Sequence, residues 1–337
     1  MEKSSLFDSM RQAVENELHD SIDRLIIEKN SELYQMLCYH MGWEGEGAGI
    51  EAQGKRIRPI ISLLCASVIH PEWQKALPAA AAVELLHNFS LIHDDIQDKS
   101  LLRRGRPTVW NKWGVAQAIN AGDTLFTMSH MALLNSIKNV NAEITIKAAK
   151  ILHQTAMEIT HGQYLDLSFE DKREVTLSSY LAMINGKTAA LLGCSSELGA
   201  MMAGASSEQA KICKQFGISL GLAFQIQDDW LGIWGNSSLT GKSTESDILS
   251  RKKTLPILYA LSQEGEFKNK WEKEELTLEM IPELVKLLEN NGAQAYTQKM
   301  GDKLITDAGK ALDQLNQNNE GMEALRKLIN TLTRREK

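Results

Sequence analysis

Three aspartates and two adjacent arginines, Arg103 and Arg104, lie close together between residues 84 and 108, in ELLHNFSLIHDDIQDKSLLRRGRPT. On a helix, Asp94 and Asp98 would be one turn apart on the same face. Carboxylates so placed repel each other unless a cation lies between them, and their hard oxygens suit Mg²⁺ bridged to a substrate's phosphates. Arg103 and Arg104 follow closely and could bind the same phosphates through bidentate hydrogen bonds. The alternative interpretation is a solvated acidic helix end followed by a basic turn.

A second acidic pair ends the apolar segment 208–233, in the run FQIQDDWLGIWG. Gln225 and Asp229 would be one helical turn apart. A glutamine and paired aspartates in an apolar helix need partners, because buried polar groups without hydrogen bonds are costly. The simplest resolution is a second metal-facing set, Asp228 and Asp229. If the two helix ends face each other, they could hold several Mg²⁺ ions around one diphosphate.

Basic residues are bunched in three short clusters, at 55–58, 103–106 and 251–253. The first follows the glycine-rich stretch 42–54, which predicts a loop, and begins an apolar helix. Cations oppose the dipole at a helix N-terminus, so an anion is expected there, and a solvated basic loop is the alternative. The polar segment 236–256 predicts a flexible loop that could cover anionic groups.

Helices must position these residues, because apolar side chains recur at three- and four-residue steps over most of the chain. Residues 6–26 predict a long amphipathic first helix. The same spacing predicts further helices at 113–137, 142–167, 176–202 and 208–233. No stretch shows a convincing alternation of apolar and polar residues of the kind that predicts a β-strand, and no internal repeat is evident. We therefore expect an all-α fold, a single domain over residues 1–337 that forms a helical bundle with a deep central cavity.

Composition and charge exclude several classes of protein. A content of 43% hydrophobic and 24% charged residues is typical of a soluble globular protein. The net charge of −6 argues against a general nucleic-acid-binding surface. The four cysteines lack CxxC spacing and predict buried thiols in a reducing cytoplasm. Apolar runs are too short for an integral membrane segment, and the N-terminus lacks a signal-peptide core, so we expect a cytoplasmic protein.

Seven motifs occur in the order found in the trans-isoprenyl diphosphate synthase (polyprenyl synthetase) family: GKRIRP, HDDIQD with RRGRPT, GQYLDL, GKT, FQIQDD, GKS and RKKTLP. The chain resembles this family over nearly its whole length, most closely the short-chain type that makes farnesyl or geranylgeranyl diphosphate. The resemblance implies an all-α fold of the isoprenoid synthase type, usually a homodimer. It also implies Mg²⁺-dependent condensation of an allylic diphosphate with isopentenyl diphosphate through an allylic carbocation.

The resemblance also assigns roles to individual residues. The implied Mg²⁺ ligands are all acidic: Asp94, Asp95, Asp98, Asp228 and Asp229. The cations that would hold the allylic diphosphate are Arg103, Lys187, Lys242 and Lys252. The side chains that would bind isopentenyl diphosphate are Lys55, Arg58, His87 and Arg104. Two polar residues would line the reacting centre, Thr188 and Gln225. Lys187 alone would be weak evidence, since a lysine in an apolar run more often extends to the surface.

The second aspartate motif departs from the family pattern. The family usually has DDxxD, but this chain reads DDWLG, with Gly232 in the place of a third aspartate, and Asn236 stands where an acid is common. One ligand is therefore lost or replaced by water, which would weaken Mg²⁺ binding. We expect Asp228 to be the principal ligand and the chain to remain active.

Two other functions stay open at this point. A terpene cyclase also ionises an allylic diphosphate with Mg²⁺, and Trp230 and Trp234 could stabilise a cation. Such a cyclase has no use for the isopentenyl-site cations, and an NDxxSxxxE-type motif is not seen. A regulatory subunit of a prenyl diphosphate synthase is the non-enzymatic alternative. Such subunits typically lose the first aspartate cluster, which this chain retains.

Phe89 is the candidate residue for limiting product length. It lies five residues before Asp94, which on a helix with a rise of about 1.5 Å per residue is ~7.5 Å deeper. In the family an aromatic residue at this place accompanies short products, and the first motif has no inserted residues. We expect a fifteen- or twenty-carbon product, with twenty carbons favoured. Ordinary core packing of Phe89 is the alternative.

Overall fold

The computed structural model describes residues 5–172, 174–235, 246–273 and 276–333. Within these ranges helices dominate, and the strands form one short antiparallel hairpin. The predicted all-α class is therefore confirmed. Over the same ranges, no helix combines the length and the apolar character needed to cross a lipid bilayer.

The first half of the chain ends in the longest helix, α8. Its elements in order are α1 (Leu6–Leu25), α2 (Glu32–His40), α3 (Ile50–Gln53), α4 (Ile57–Ile69), a 3₁₀ turn (Trp73–Ala76), α5 (Leu77–Gln97), β1 (Leu102–Arg103), β2 (Arg106–Pro107), α6 (Val109–Trp113), α7 (Val115–Leu134), a 3₁₀ turn (Asn135–Lys138) and α8 (Ala142–Glu170).

The second half is built of helices and helical turns. Its elements in order are α9 (Leu177–Ile184), a π-helical turn (Asn185–Ala189), α10 (Ala190–Met202), α11 (Ser207–Trp234), α12 (Ser246–Leu249), α13 (Leu255–Leu261), α14 (Glu266–Lys273), a 3₁₀ turn (Leu278–Met280), α15 (Ile281–Asn290), α16 (Ala293–Gln314) and α17 (Glu320–Thr333).

Contacts within the chain define two compact units, each assembled from separate sequence segments. The first unit comprises residues 1–156, 194–214 and 317–325, and the second comprises 157–193, 215–316 and 326–337. Compactness does not test whether each unit could fold alone. The single domain expected from the sequence therefore stays a prediction.

Helix α1 presents one apolar face to the core of the first unit. Ser5 caps the helix, since its hydroxyl accepts a hydrogen bond from the Asp8 backbone N–H at 3.2 Å. The predicted spacing of apolar residues is confirmed by the side chains that are at most 1% exposed, Met10, Val14, Leu18 and Ile22.

Helices α5 and α7 pack against each other along much of their length in the first unit. Pro78 occupies the first turn of α5, where its missing N–H is tolerated. Small residues allow a close approach, because a Cβ atom on Gly122 of α7 would lie only 2.3 Å from Nε2 of His93. This packing holds the last turn of α5, which carries the first aspartate cluster.

A π-helical turn interrupts the segment 176–202, which the sequence predicted as one helix. Two glycines of the second unit bring neighbouring helices against this turn. A Cβ on Gly162 of α8 would lie 2.2 Å from the backbone nitrogen of Lys187, and one on Gly221 of α11 would lie 2.6 Å from Cα of Ala189. Three backbones therefore meet at the turn, a contact between distant segments that periodicity does not reveal. π-turns inside α-helices occur frequently at functional sites.

Three boundaries also differ from the sequence prediction. The loop 42–54 contains the short helix α3, and α8 continues to Glu170 instead of ending at 167. The sequence pattern predicts that Gly105 and Pro107 end the helix that carries the first aspartates. Helix α5 instead ends at Gln97, because residues 102–107 pair as a hairpin. Arg104 and Gly105 have φ of 53° and 74°, a conformation that forms tight turns and that a right-handed helix does not contain.

Candidate functional site

The last turn of α5 carries the first aspartate cluster. Asp98 caps the helix, and its backbone N–H donates to the Asp94 carbonyl at 2.8 Å, so the two residues keep their one-turn spacing. Asp94 is partly exposed and Asp98 is exposed, whereas Asp95 is buried. The cluster therefore has two outward acids on one face and one acid turned inward.

The inward acid, Asp95, is paired with Arg103 from the hairpin. Nε of Arg103 donates to both carboxylate oxygens at 2.9 Å, and Nη2 lies 2.8 Å from Oδ1. Burial raises the pKa of Asp95, and the guanidinium opposes that rise. The hairpin thus brings one predicted phosphate-binding cation directly onto a predicted metal ligand.

The other hairpin arginines bind backbone carbonyls of the segment before α4. Nη1 of Arg104 donates to Ala52 O at 2.8 Å and to Gln53 O at 2.9 Å. Gly54 is required beside it, because a Cβ there would lie 2.6 Å from Cζ of Arg104. Arg106 is buried and donates to three further carbonyls, those of Tyr39, Glu44 and Glu46.

Within the cluster KRIR, neighbouring residues have different environments. Arg56 is only 2% exposed and pairs with Glu15 at 2.7 Å and Glu84 at 2.9 Å. It also donates to the Met41 carbonyl at 3.0 Å, so this arginine holds four segments of the first unit together. Lys55, in contrast, is exposed. Exposure leaves Lys55 able to reach a ligand, whereas Arg56 has a structural role.

Arg58 and His87 form a pair in the first unit, with Nη1 3.1 Å from Nε2. Burial lowers the pKa of both groups, and Arg58 lowers that of His87 further, so the imidazole is neutral and its Nε2 accepts the bond. Burial also lowers the pKa of Arg104, and repulsion from Arg56, Arg103 and Arg58 adds to the effect. Nε of Arg58 is buried and finds no hydrogen-bond partner among the described residues. Crowded cations with an unpaired donor fit an anionic ligand.

His40 is a neighbour that the sequence did not single out. It lines a polar pocket together with Asp95, Arg103 and Arg104. Burial lowers the pKa of His40 to about 3, and the charges of the two arginines contribute. This imidazole is therefore neutral at physiological pH. A lone histidine at the end of an amphipathic helix gives no sequence signal for that placement.

Phe89 lies partly exposed on α5 and contacts two other rings of the first unit. Its centroid is 5.0 Å from that of Phe126 on α7 and 4.8 Å from that of His93. The line of rings continues from Phe126 to His130 at 4.6 Å and from His130 to His153 at 4.3 Å. Phe89 thus belongs to a row of rings in edge-to-face or tilted contact, and its role in limiting product length stays a prediction.

In the second unit, Asp229 is buried and Asp228 is partly exposed. Oδ2 of Asp229 accepts hydrogen bonds from the Tyr180 hydroxyl and from the Leu255 N–H, the latter at 2.9 Å. Oδ1 accepts from Nε2 of Gln225 at 3.2 Å. Burial raises the pKa of Asp229 to about 6, although these donors oppose the rise. Tyr180 was not predicted as a site residue, because a tyrosine in an apolar helix is typical of core packing.

The π-turn places two predicted residues of the second unit. Lys187 forms an ion pair with Asp166 near the end of α8, so it neither extends freely to solvent nor lies unpaired. The Thr188 hydroxyl donates to Oε1 of Gln225 at 2.9 Å. Asp166 belongs to the motif GQYLDL, and that motif was the available signal for its role.

The remaining predicted residues lie near the end of α11 or after it. Lys252 is exposed, and Gly232 is partly exposed within α11. The rings of Trp230 and Trp234 are 5.9 Å apart, and Nε1 of Trp234 donates to Glu289 at 3.2 Å. Lys242 and Asn236, with residues 236–245 of the predicted covering loop, lie outside the described residues.

The predicted site residues therefore divide between the two units. Those of the first unit are Lys55, Arg58, His87, Phe89, Asp94, Asp95, Asp98, Arg103 and Arg104. Those of the second unit are Lys187, Thr188, Gln225, Asp228, Asp229 and Lys252.

The carboxylates differ in how well they fit a Mg²⁺ ion. Mg²⁺ usually takes one or two protein carboxylates and completes its shell with water and substrate phosphates. Asp94 and Asp98 share an accessible face and fit that chemistry, as does the partly exposed Asp228. The oxygens of Asp95 and Asp229 already accept bonds from protein donors. Nowhere in the described ranges do three Asp, Glu, His or Cys side chains converge as a complete metal site.

Sequence comparisons give a consistent picture. A family model described as polyprenyl synthetase matches residues 48–288. A geranylgeranyl diphosphate synthase from Methanosarcina mazei is 36% identical over 296 residues, which cover 88% of each chain. A (2E,6E)-farnesyl diphosphate synthase from Mycobacterium tuberculosis is 41% identical over 233 residues, 68% of this chain. That match spans 64% of the mycobacterial protein, just under two thirds of its length.

Solved structures with the same helical fold also match. The polyprenyl synthetase from Streptomyces coelicolor superimposes with a TM-score of 0.85 at 34% identity, covering 96% of this chain and 97% of that one. The geranylgeranyl pyrophosphate synthetase from Pyrococcus horikoshii gives a TM-score of 0.88 at 29% identity, with 98% and 97% covered. The helical fold is thus the one that these synthetases share.

Proposed function

The chain belongs to the polyprenyl synthetase family, and on that premise we propose that it is a prenyltransferase. It condenses an allylic diphosphate with isopentenyl diphosphate to give a longer prenyl diphosphate. Relatives named as farnesyl and geranylgeranyl diphosphate synthases support this reaction class. The Arg58–His87 pair carries the proposal among the structural observations, because its buried, unpaired guanidinium nitrogen suits a diphosphate.

Ionisation of the allylic diphosphate is the first step that the residues must assist. Asp94, Asp98 and Asp228 would hold Mg²⁺ on that diphosphate. When bound, Mg²⁺ neutralises the charge that develops on the leaving diphosphate as the allylic carbocation forms. Arg103 and Lys187 bind the same group, each held by a carboxylate, together with the exposed Lys252 and with Lys242.

Isopentenyl diphosphate binds to the other cations, Lys55, Arg58 and Arg104, with His87 as a neutral partner. His87 accepts from Arg58 and so orients the guanidinium toward the ligand. Thr188 and Gln225 line the reacting centre, where the double bond of isopentenyl diphosphate attacks the carbocation. The released diphosphate accepts the proton that is lost as the new double bond forms.

Product length is limited at Phe89 in this proposal, which gives fifteen or twenty carbons. The ring packs against a neighbour, because it contacts Phe126, which in turn contacts His130. A growing apolar chain that meets Phe89 would have to displace a row of contacting rings, not one free side chain. The names of the relatives, which make farnesyl and geranylgeranyl diphosphate, agree with this range.

A cytoplasmic homodimer is the proposed form of the enzyme. Large apolar side chains are exposed on α7 and the segments that follow it, unusual for a surface that faces only water. These are Val115, Ile119, Met131, Leu134, Ile137 and Ile146. Light scattering should give twice the chain mass of 37.6 kDa. Ile146→Glu should halve that mass, whereas Ile27→Glu, at an exposed isoleucine elsewhere, should leave it unchanged.

The proposed reaction can be tested directly with the purified chain. It is incubated with isopentenyl diphosphate, Mg²⁺ and each allylic diphosphate in turn, and the products are separated by chromatography. A prenyl diphosphate of fifteen or twenty carbons supports the proposal. A hydrocarbon formed without isopentenyl diphosphate would indicate the cyclase instead. Product formed only after a partner protein is added would indicate the regulatory subunit.

A further inference from the structure

We propose that Asp229 is a positioning residue that fixes the orientation of the Gln225 amide, and that it is not a ligand of Mg²⁺. The inference rests on the proposed function for what Gln225 does, but its evidence lies within the second unit alone. It replaces the metal role that the family resemblance implied for Asp229. It also gives Tyr180 a part in the site.

Three elements of the second unit direct hydrogen-bond donors at the Asp229 carboxylate. These are the Tyr180 hydroxyl from α9, the Leu255 N–H from the start of α13, at 2.9 Å, and Gln225 Nε2 from one turn earlier on α11, at 3.2 Å. The residue is only 3% exposed. Oδ2 already accepts two bonds, so a metal ion there would leave the buried Tyr180 hydroxyl or the Leu255 N–H without an acceptor, and a metal ion at Oδ1 would compete with Gln225.

The carboxylate determines which way the Gln225 amide faces. An ionised carboxylate only accepts hydrogen bonds, so the amide nitrogen must point to Asp229. The amide oxygen then points to Thr188, whose hydroxyl donates to it at 2.9 Å. A reversed amide would set two oxygens against each other at Asp229. The chain of bonds from Tyr180 and Leu255 through Asp229 therefore fixes both Gln225 and the Thr188 hydroxyl.

The first unit repeats this division of roles, which supports the assignment independently. There the second acid of the adjacent pair, Asp95, is buried and occupied by Arg103, while Asp94 is partly exposed. In the second unit Asp229 is buried and occupied, while Asp228 is partly exposed. In each pair the second carboxylate holds a neighbouring functional side chain in place.

Reversal of hydrogen-bond polarity tests this role. In Asp229→Asn the new amide oxygen can still accept from Tyr180 and Leu255, but the new amide nitrogen then faces Gln225 and forces that side chain to reverse. Gln225→Glu in the same protein restores an acceptor toward both the new amide nitrogen and Thr188. Gln225→Glu alone sets two carboxylates against each other. Each single substitution should lower kcat at least tenfold, and the double variant should recover most of that loss.

Metal binding separates a positioning role from a ligand role. Mn²⁺ binding in the presence of inorganic diphosphate is measured by electron paramagnetic resonance on the parent, Asp228→Asn and Asp229→Asn. We expect Asp228→Asn to weaken Mn²⁺ binding at least tenfold and Asp229→Asn to change it less than threefold. Equal weakening in the two variants, or a double variant that recovers no turnover, would overturn the proposal.

Two further outcomes are also decisive. If Asp229→Asn does not fold alone, the double variant should still fold and bind Mn²⁺ like the parent; an unfolded or metal-deficient double variant contradicts the role. If the parent makes no prenyl diphosphate, the proposed function fails. The Mn²⁺ comparison then still decides whether Asp229 is a ligand.

Discussion

Arg103 contacts both carboxylate oxygens of Asp95, with its Nε 2.9 Å from each. The two residues are eight positions apart, and the hairpin after α5 returns the arginine to the last helical turn. Asp95 is thereby paired before any substrate arrives, and the guanidinium is held in one orientation. We therefore expect Asp94 and Asp98 to be the residues of the first cluster that bind the metal.

Loss of an outward acid should abolish turnover without unfolding the protein. Asp94→Ala removes a carboxylate at a partly exposed position, so we expect kcat to fall by orders of magnitude and the helical circular dichroism to be unchanged. Asp302→Ala, at an exposed aspartate of α16, is the matched control and should retain activity. EDTA should abolish the parent activity, and added Mg²⁺ should restore it. Near-normal turnover of Asp94→Ala would contradict the metal assignment.

Restoring an acid at Gly232 should ease the Mg²⁺ requirement. An added carboxylate supplies a negative charge and an oxygen ligand near the end of α11. Gly232→Asp should therefore lower the Mg²⁺ concentration that gives half-maximal rate, measured by titration at saturating substrates. Gly232→Ala controls for the gain in helix propensity alone. If Gly232→Asp needs the same or a higher Mg²⁺ concentration for half-maximal rate, then an acid at this position does not contribute a metal ligand.

Shortening Phe89 should lengthen the product. Phe89→Ala removes the ring that contacts Phe126, so the growing chain should extend past twenty carbons before it meets the next rings. Product chromatography measures the length. Ser90→Ala is the control, because the Ser90 hydroxyl bonds within its own helix, to His87 O at 2.8 Å, and its loss should leave the length unchanged. An unchanged product from a folded Phe89→Ala protein would exclude the assignment.

Truncation of two adjacent residues in the cluster KRIR should affect different properties, stability for Arg56 and substrate binding for Lys55. Arg56→Ala would leave the carboxylates of Glu15 and Glu84 without their partner, a loss of about 3–5 kcal/mol in the free energy of unfolding. Lys55→Ala, at the exposed neighbour, should leave stability within about 0.5 kcal/mol but raise KM for isopentenyl diphosphate. Urea denaturation and steady-state kinetics measure the two effects. Equal destabilisation by both variants would argue against this division.

Acid should destabilise the protein through His40, whose imidazole loses solvation on folding. The pKa of His40 is lowered to about 3, below its value in an unfolded chain, so the unfolded state binds a proton that the folded state refuses. Stability is therefore complete above about pH 6.5 and decreases as the pH falls toward 3. His40→Gln should reduce the loss between pH 7 and pH 5 by about 1–2 kcal/mol in urea denaturation. The exposed His161→Gln should show the parent's full loss.

The sequence predicts elements better than it predicts the contacts that connect them. Apolar spacing located α1 and α11 within a residue or two, and the one-turn spacing of Asp94 and Asp98 follows from helix geometry. The π-turn was not predicted, because its close contacts come from Gly162 and Gly221 in distant segments. Local spacing likewise carries no signal that an acid such as Asp229 will bond to a tyrosine 49 positions away.

The π-turn at Asn185–Ala189 also determines which side chains of the following helix α10 face the core. One such turn adds a residue to the helical repeat, so α10 is rotated by about 100° relative to a straight continuation of α9. Helices α9 and α10 can then each bury an apolar face, although the two faces do not continue each other in the sequence. Deleting a single residue here would merge them into one continuous α-helix. The deletion would also turn Lys187 and Thr188 away from Asp166 and Gln225, the partners that the turn now gives them.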